Sequence, residues 1–453
     1  MKKCKILMPI GNLGIGILPE EMQYGMAMHP DVIAVDAGST DSGPAYLATG
    51  THKYQRQMLK HDLELCILPA LEAHIPLLVG SCGTCGTDSV VHVFYELTCQ
   101  ILKEHGKKAR VACIYSQQDA EVLKNKWDSG KIHALDGAPE ISRETFDKCS
   151  NIVALCGAEP FMEALENKAD IILCGRATDT AIIAAYPLMH GCDAASCWHG
   201  AKVVECGSVC TDSRSGYGVM LTVDDKGFAV TPLQPNTHCT PYTVAAHLLY
   251  ENTNPFRLRE PSGTIVTEHC VYTQLDEQSV YVSGTEFEYA EQYTLKLEGA
   301  CFGGYQSICL VGMADPKITA DPERWIQKVS AHVDPLIQRA GYAREDYSFN
   351  FKAYGYNAVI PGSVPEETPA PREIGMLLTI TGRTQEMTRQ IAKIFNPYLL
   401  HFPADEQSQM PSFAFPFSPV DCERGHTYEF LLHHVVDVDD PLELIRIEYS
   451  ECI

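Results

Sequence analysis

Ile171-Ile172-Leu173-Cys174-Gly175-Arg176-Ala177-Thr178-Asp179 decides the fold, because an apolar run of strand length ends abruptly at a glycine, with an arginine and an aspartate close behind. The run is too short for a helix and lacks polar residues, as expected of a strand buried on both faces. The same pattern appears four more times in the first 210 residues. Ile6–Ile10 runs into Gly11–Gly16, Val32–Val35 into Asp36–Gly43, Leu77–Val79 into Gly80–Asp88, and Ile152–Leu155 into Cys156–Glu159. In an open parallel sheet the strand C-termini share one edge, and ligands bind in the crevice there. The five loops are therefore expected to converge on one site.

Helical stretches separate these runs, the clearest being Val90–His105 with Val93, Leu97, Ile101 and Leu102 at helical spacing. The alternation predicts an α/β fold, a mostly parallel Rossmann-like sheet with Gly-rich strand-end loops over 1–215. A further helix is expected over Trp198–Cys210. From about Gly218 to Leu310 the pattern shifts to period-two runs rich in Val, Tyr and Thr, with one helix near Thr243–Glu251. This predicts a second α+β unit rich in antiparallel sheet over 216–453, with a further division near 340–345. Within it, Pro322–Arg339 and Thr384–Asn396 read as helices, and the proline-rich Pro361–Pro371 as an extended loop.

A chain of 453 residues is expected to hold two or three domains. Its net charge of −23 argues against nucleic acid and anionic membrane surfaces as partners, since both reward basic patches. It leaves room for a small acidic or acyl substrate held by a local cation such as Arg176 or Lys202. The 19 cysteines are odd in number and several sit inside apolar runs, which suits a reducing cytoplasm better than a disulfide-stapled secreted protein. No apolar run is long enough to span a bilayer. Pro9, Gly11 and Asn12 break the segment after Lys2-Lys3 that would otherwise imitate a signal peptide. A cytoplasmic homo-oligomer is the expected state.

Gly11–Gly16 followed by Asp36 imitates a dinucleotide fingerprint, but the glycine order is reversed, so NAD is not expected. Asp36-Ala37-Gly38-Ser39-Thr40-Asp41 reads instead as a substrate loop. There Gly38, Ser39 and Thr40 expose N–H groups to an anion, and Asp36 or Asp41 supplies a catalytic carboxylate; the alternative is a tight turn capped by Asp and Ser. Ser81, Gly83 and Asp88 of the third loop are candidate substrate contacts, while Cys82-x-x-Cys85 lacks the second pair or histidines that a zinc site needs. Glu159, Arg176 and Asp179 stand where strands end and helices begin. Arg176 could grip a carboxylate bidentately or form a structural ion pair with Glu159 or Asp179. His199, Lys202, Glu205 and Cys206 share a helix face, where partial burial would suit Lys202 and Glu205 to acid–base work. His247 reads as a satisfied core histidine.

Asp31–Pro44, Gly157-Ala158-Glu159-Pro160-Phe161, Ala169–Thr180, His199-Gly200-Ala201-Lys202 with Glu205-Cys206-Gly207, Thr240–His247, Leu249–Asn252, Pro255–Leu258, Glu260–Gly263, Tyr293–Ala300 and Ser418-Pro419 resemble the acyclic terpene utilisation (AtuA-like) family over essentially the whole chain. The resemblance implies cytoplasmic proteins that accompany CoA transferases and carboxylic-acid catabolism, and it assigns no reaction. Cys82 and Cys85 stand where relatives are expected to carry glycine or alanine, which counts against either thiol as a general nucleophile.

Three functions follow as expectations. The first is a lyase, a hydratase or dehydratase, acting on a small carboxylic acid or acyl-CoA thioester, with Asp36, Asp41, Lys202 and Glu205 moving the proton. The second is a hydrolase of a lactone, ester or amide, with Ser39, Ser81 or a carboxylate-bound divalent metal activating water; G-x-S-x-G is absent, which counts against a serine hydrolase of the common kind. The third is a non-catalytic subunit of a catabolic complex.

Overall fold

The computed structural model describes residues 2–213, 217–249, 254–362, 365, 368–405 and 411–452. The apolar runs form the middle of a ten-stranded sheet, in which Cys4–Met8, Val32–Asp36, Leu77–Gly80, Ile171–Cys174 and Ala109–Tyr115 lie side by side in parallel. Every residue of Val32–Asp36, Leu77–Gly80 and Ile171–Cys174 is buried. This is what strands covered by helices on both faces require.

Antiparallel strands extend both edges. Arg446–Cys452 pairs with Ala109–Tyr115, while Val219–Val223, Gly227–Pro232, Val280–Ser283 and Val271–Gln274 continue outward from Cys4–Met8. The composition change near Gly218 thus marks a change of strand direction within one sheet. The chain divides instead into Met1–Cys301 with Phe430–Ile453, and Phe302–Glu429, and not at the expected 215. The reason is that the outer hydrogen-bonding edge of Cys4–Met8 is taken up by Val219–Val223.

One of the five runs departs from the expected arrangement. Asn151–Leu155 lies outside the parallel sheet and pairs antiparallel with Lys296–Ala300, at the start of the long strand Thr294–Met313. Its following loop still reaches the others, because Cys156 bridges to Ala177. A three-stranded antiparallel sheet of Arg257–Glu260, Gly263–Val266 and Glu286–Tyr289 completes the first unit's strands around the site.

In the second unit, Tyr347–Tyr354, Ile374–Gly382 and the end of Thr294–Met313 form an antiparallel sheet. The amphipathic helices Pro322–Arg339 and Gln385–His401 contribute Trp325, Val329, Ile391 and Phe395 to its core. The expected helix at Trp198–Cys210 is a helix Ala194–Val204 followed by a short 3-10 turn Gly207–Cys210. The helix expected to Glu251 runs Pro241–His247; residues 250–253, like 363–364 and 366–367 of the proline-rich loop, lie outside the described residues. Seventeen cysteines carry free thiols and one pair, Cys99 and Cys452, is joined, so one disulfide stands where none was expected. No described helix is long and apolar enough to cross a membrane.

Candidate functional site

Two loops, the end of one helix and three strands of the first unit line a cavity of about 240 Å³ at the C-terminal edge of the parallel strands. It is lined by Ser39, Thr40 and Asp41 from the loop after Val32–Asp36, and by Arg176, Thr178, Asp179 and Thr180 from the loop after Ile171–Cys174. Lys202 and Glu205, Arg259 and Glu260, and Lys296 and Glu298 complete the polar wall, and Leu155 is its single apolar residue.

Close packing explains how Lys202 and Glu205 arrive there. The helix Ala194–Val204 is capped by Asp193, which accepts the Ser196 N–H at 2.9 Å. Gly200 lets that helix sit against Leu221 and Phe228, since a Cβ there would come within 2.9 Å of Leu221. Lys202 Nζ then donates to Glu205 Oε1 at 2.6 Å. Burial, with Asp179 adding to it against the opposing pull of Lys202, pushes the Glu205 carboxyl up to about 8. His199, on the same helix, is completely buried with Nδ1 2.7 Å from Thr285 Oγ1, and burial pushes it down to about 3. The expected shared face is therefore divided, with Lys202 and Glu205 at the cavity and a neutral His199 in the core.

Arg176 is 3% exposed and organises the loops. Its Nε donates to Glu298 Oε2 at 3.2 Å, and its Nη1 to the Gly38 carbonyl at 3.1 Å and to Ser81 Oγ at 3.0 Å. With Nε and Nη1 committed to protein acceptors, one donor of each bidentate edge, Nε/Nη2 and Nη1/Nη2, is already engaged, so neither edge is open to the expected bidentate grip on a substrate carboxylate. Its ion-pair partner is Glu298, not Glu159 or Asp179. Gly38 can offer its carbonyl because its φ of +118° is open to glycine and its missing Cβ leaves room for Thr84. Despite burial, Arg176 and Lys296 hold the Glu298 carboxyl below its ordinary range.

Asp179 is half-buried, and burial raises its carboxyl against the opposing Arg176 and Lys202 charges. Glu260 is likewise raised by burial and accepts from Thr178 Oγ1 at 2.9 Å. Arg259 is exposed and, among the described residues, its guanidinium has no hydrogen-bonding or ion-pair partner.

Of the other predicted residues, Ser39, Thr40 and Asp41 line the cavity, with Ser39 Oγ donating to Asp41 Oδ2 at 2.6 Å. Asp36 does not: it is 5% exposed, accepts from the Gly38 N–H at 2.9 Å, and is raised by burial and by Asp179. Ser81 and Gly38 support Arg176 from behind. Gly83 packs on Val90 and His52, Asp88 pairs with Arg446 at 2.9 Å, and Glu159 accepts from the Tyr293 hydroxyl. None of these last three lines the cavity. Cys82 and Cys85 are buried thiols pushed up by burial, not a metal or redox pair facing the cavity. The first glycine loop is closed by Asp62, whose carboxylate accepts the N–H groups of Gly14, Gly16 and Ile17 where a phosphate would have to sit.

Arg259, Glu260, Lys296 and Glu298 were not singled out from sequence. A signal existed for the last two, because Leu295-Lys296-Leu297-Glu298 alternates apolar and charged residues and places both charges on one strand face.

Fold and site together define an α/β protein with a small, carboxylate-rich cavity at the crevice edge of a parallel sheet. The family model of the acyclic terpene utilisation family protein AtuA matches residues 31–414 of the 453, and the chain belongs to that family. Membership places it in acyclic terpene utilisation, a catabolic role. No curated protein and no solved structure matches it.

Proposed function

We propose that the chain is a catabolic enzyme acting on a small carboxylic acid, free or as a thioester, by lyase chemistry of the hydratase type. The observation that carries this reading is Arg259, a cation without a counter-ion among the described residues, at a cavity whose wall has one apolar residue. A lone guanidinium attracts a substrate carboxylate. Such a wall suits a short, hydroxylated acid better than a long isoprenoid chain, which needs apolar surface to leave water.

Hydration or dehydration next to a carbonyl requires a proton to move at carbon and another at oxygen. Asp179, Lys202 and Glu205 meet on one wall and differ in charge, with an ammonium beside a carboxyl that keeps its proton near neutral pH. The ammonium stabilises an enolate-like oxygen, and the carboxyl and carboxylate exchange protons with the substrate.

The test is turnover of short hydroxy acids, unsaturated acids and their thioesters by the wild type and Arg259→Ala. Because Arg259 is exposed and has no partner among the described residues, its loss should leave the melting temperature unchanged. KM for an acid should rise by about 10- to 100-fold, the worth of one charge-assisted contact, while the matching neutral amide is unaffected. Equal KM values for acid and amide in both proteins would remove Arg259 from the site.

A further inference from the structure

Next to the cavity, three side chains of different chemistry converge. Among the described residues, Glu205, Cys206 and His247 form a group in which one ligand atom from each lies within 4.8 Å of the others. They come from two separate elements. Glu205 and Cys206 follow the helix Ala194–Val204, and His247 is the last residue of the helix Pro241–His247. Glu205 and His247 are 7% and 5% exposed, and Cys206 is half-buried.

We infer that Glu205, Cys206 and His247 form a site for a single zinc-like divalent cation at the rim of the substrate cavity. The donor set selects the ion. A thiolate and an imidazole suit Zn²⁺ and its borderline neighbours such as Co²⁺, whereas Mg²⁺ and Ca²⁺ call for oxygen ligands throughout. Ligand atoms of a tetrahedral zinc centre stand roughly 3.3–3.8 Å apart for bonds of about 2.0–2.3 Å, so the three need to close by about 1 Å around the ion.

Three protein ligands leave one coordination position open. That is the arrangement of catalytic rather than structural zinc, in which a bound water loses its proton near neutral pH or a substrate oxygen is polarised. Glu205 ties the site to the cavity, since it lines that wall and holds Lys202. Metal binding displaces the Glu205 proton and the Cys206 proton, after which Asp179 and Lys202 carry the proton transfers. The metal site deepens the proposed reaction, but its test does not depend on turnover.

The chain is treated with a chelator, reloaded with Zn²⁺ or Co²⁺ under reducing conditions, and its metal content measured. The expected result is one ion per chain and, for Co²⁺, a near-ultraviolet thiolate-to-cobalt charge-transfer band. Cys206→Ser should abolish that band, His247→Gln should weaken Zn²⁺ binding by at least about tenfold, and Cys422→Ser, a half-buried thiol of the second unit, should change neither. Circular dichroism and melting curves confirm that the variants fold, and Cys206→Ser, the smallest change, decides the matter. Persistence of the band in Cys206→Ser, or no more ion on the wild type than on the Cys206→Ser/His247→Gln double variant, overturns the site. Ion uptake by a chain that turns over no acid would instead count against the lyase reading alone.

Discussion

Asp62 offers the sharpest test of how the first glycine loop is held. It is completely buried on the helix Arg56–Ala73, and its carboxylate accepts the N–H groups of Gly14 at 2.8 Å, Gly16 at 3.1 Å and Ile17 at 2.9 Å. Asp62→Ala leaves those three donors facing an empty space. A buried donor without a partner costs about 1–3 kcal/mol. Gly14 and Ile17 are buried and Gly16 is half-buried, so the gross loss is about 3–6 kcal/mol. Removing a buried charge offsets part of this, and a net loss of about 3 kcal/mol is expected, a large share of the roughly 5–15 kcal/mol that holds a domain folded.

Urea unfolding at pH 7 measures it. Of the three tryptophans, Trp127 and Trp198 lie in the first unit and Trp325 in the second, so a Trp325→Phe background confines the fluorescence signal to the unit that contains Asp62. Formate, a carboxylate small enough to occupy the vacated position, should recover most of the loss, whereas chloride at equal ionic strength should not. A loss below about 1 kcal/mol, or equal stabilisation of wild type and variant by formate, would refute the account.

Two further outcomes follow from the buried charges. Arg176→Met should cost about 3–5 kcal/mol in urea unfolding, because Glu298 stays buried without its main counter-ion, and adding Glu298→Leu should restore much of it; additive losses in the double variant would contradict the pairing. In the chelator-treated chain, Glu205 titrates near 8 in the folded state against an ordinary 4.5, so its contribution to stability is complete below 4.5 and is lost as pH rises through 8. At about 1.4 kcal/mol per pKa unit the ceiling on that loss is roughly 5 kcal/mol. Glu205→Gln should therefore gain on the wild type between pH 5 and 9, and parallel stability curves would exclude a raised Glu205.

The parallel core was legible in the residues because strands buried on both faces must be short, apolar and ended by glycine, and each of those properties is local. For the same reason the loops carrying Ser39, Thr40, Asp41, Arg176 and Asp179 could be placed at one crevice before any coordinates. Local pattern does not say which strand lies beside which, and there the expectations diverged. Asn151–Leu155 looks like its four counterparts but pairs elsewhere, since its hydrogen bonds go to Lys296–Ala300, about 140 residues further along the chain.

What the sequence by itself determined is the fold class, the crevice and the half of the site that follows the parallel strands. Only the tertiary structure decided the rest. Arg176 turned from substrate clamp to loop organiser because Glu298, 122 residues away, reaches its Nε. Arg259 and Glu260 entered from a separate antiparallel sheet. His247 came to offer an atom within 4.8 Å of those of Glu205 and Cys206 because two helices end beside each other. Charge compensation and ligand geometry depend on distances through space, and residue spacing along a chain records only those that are local.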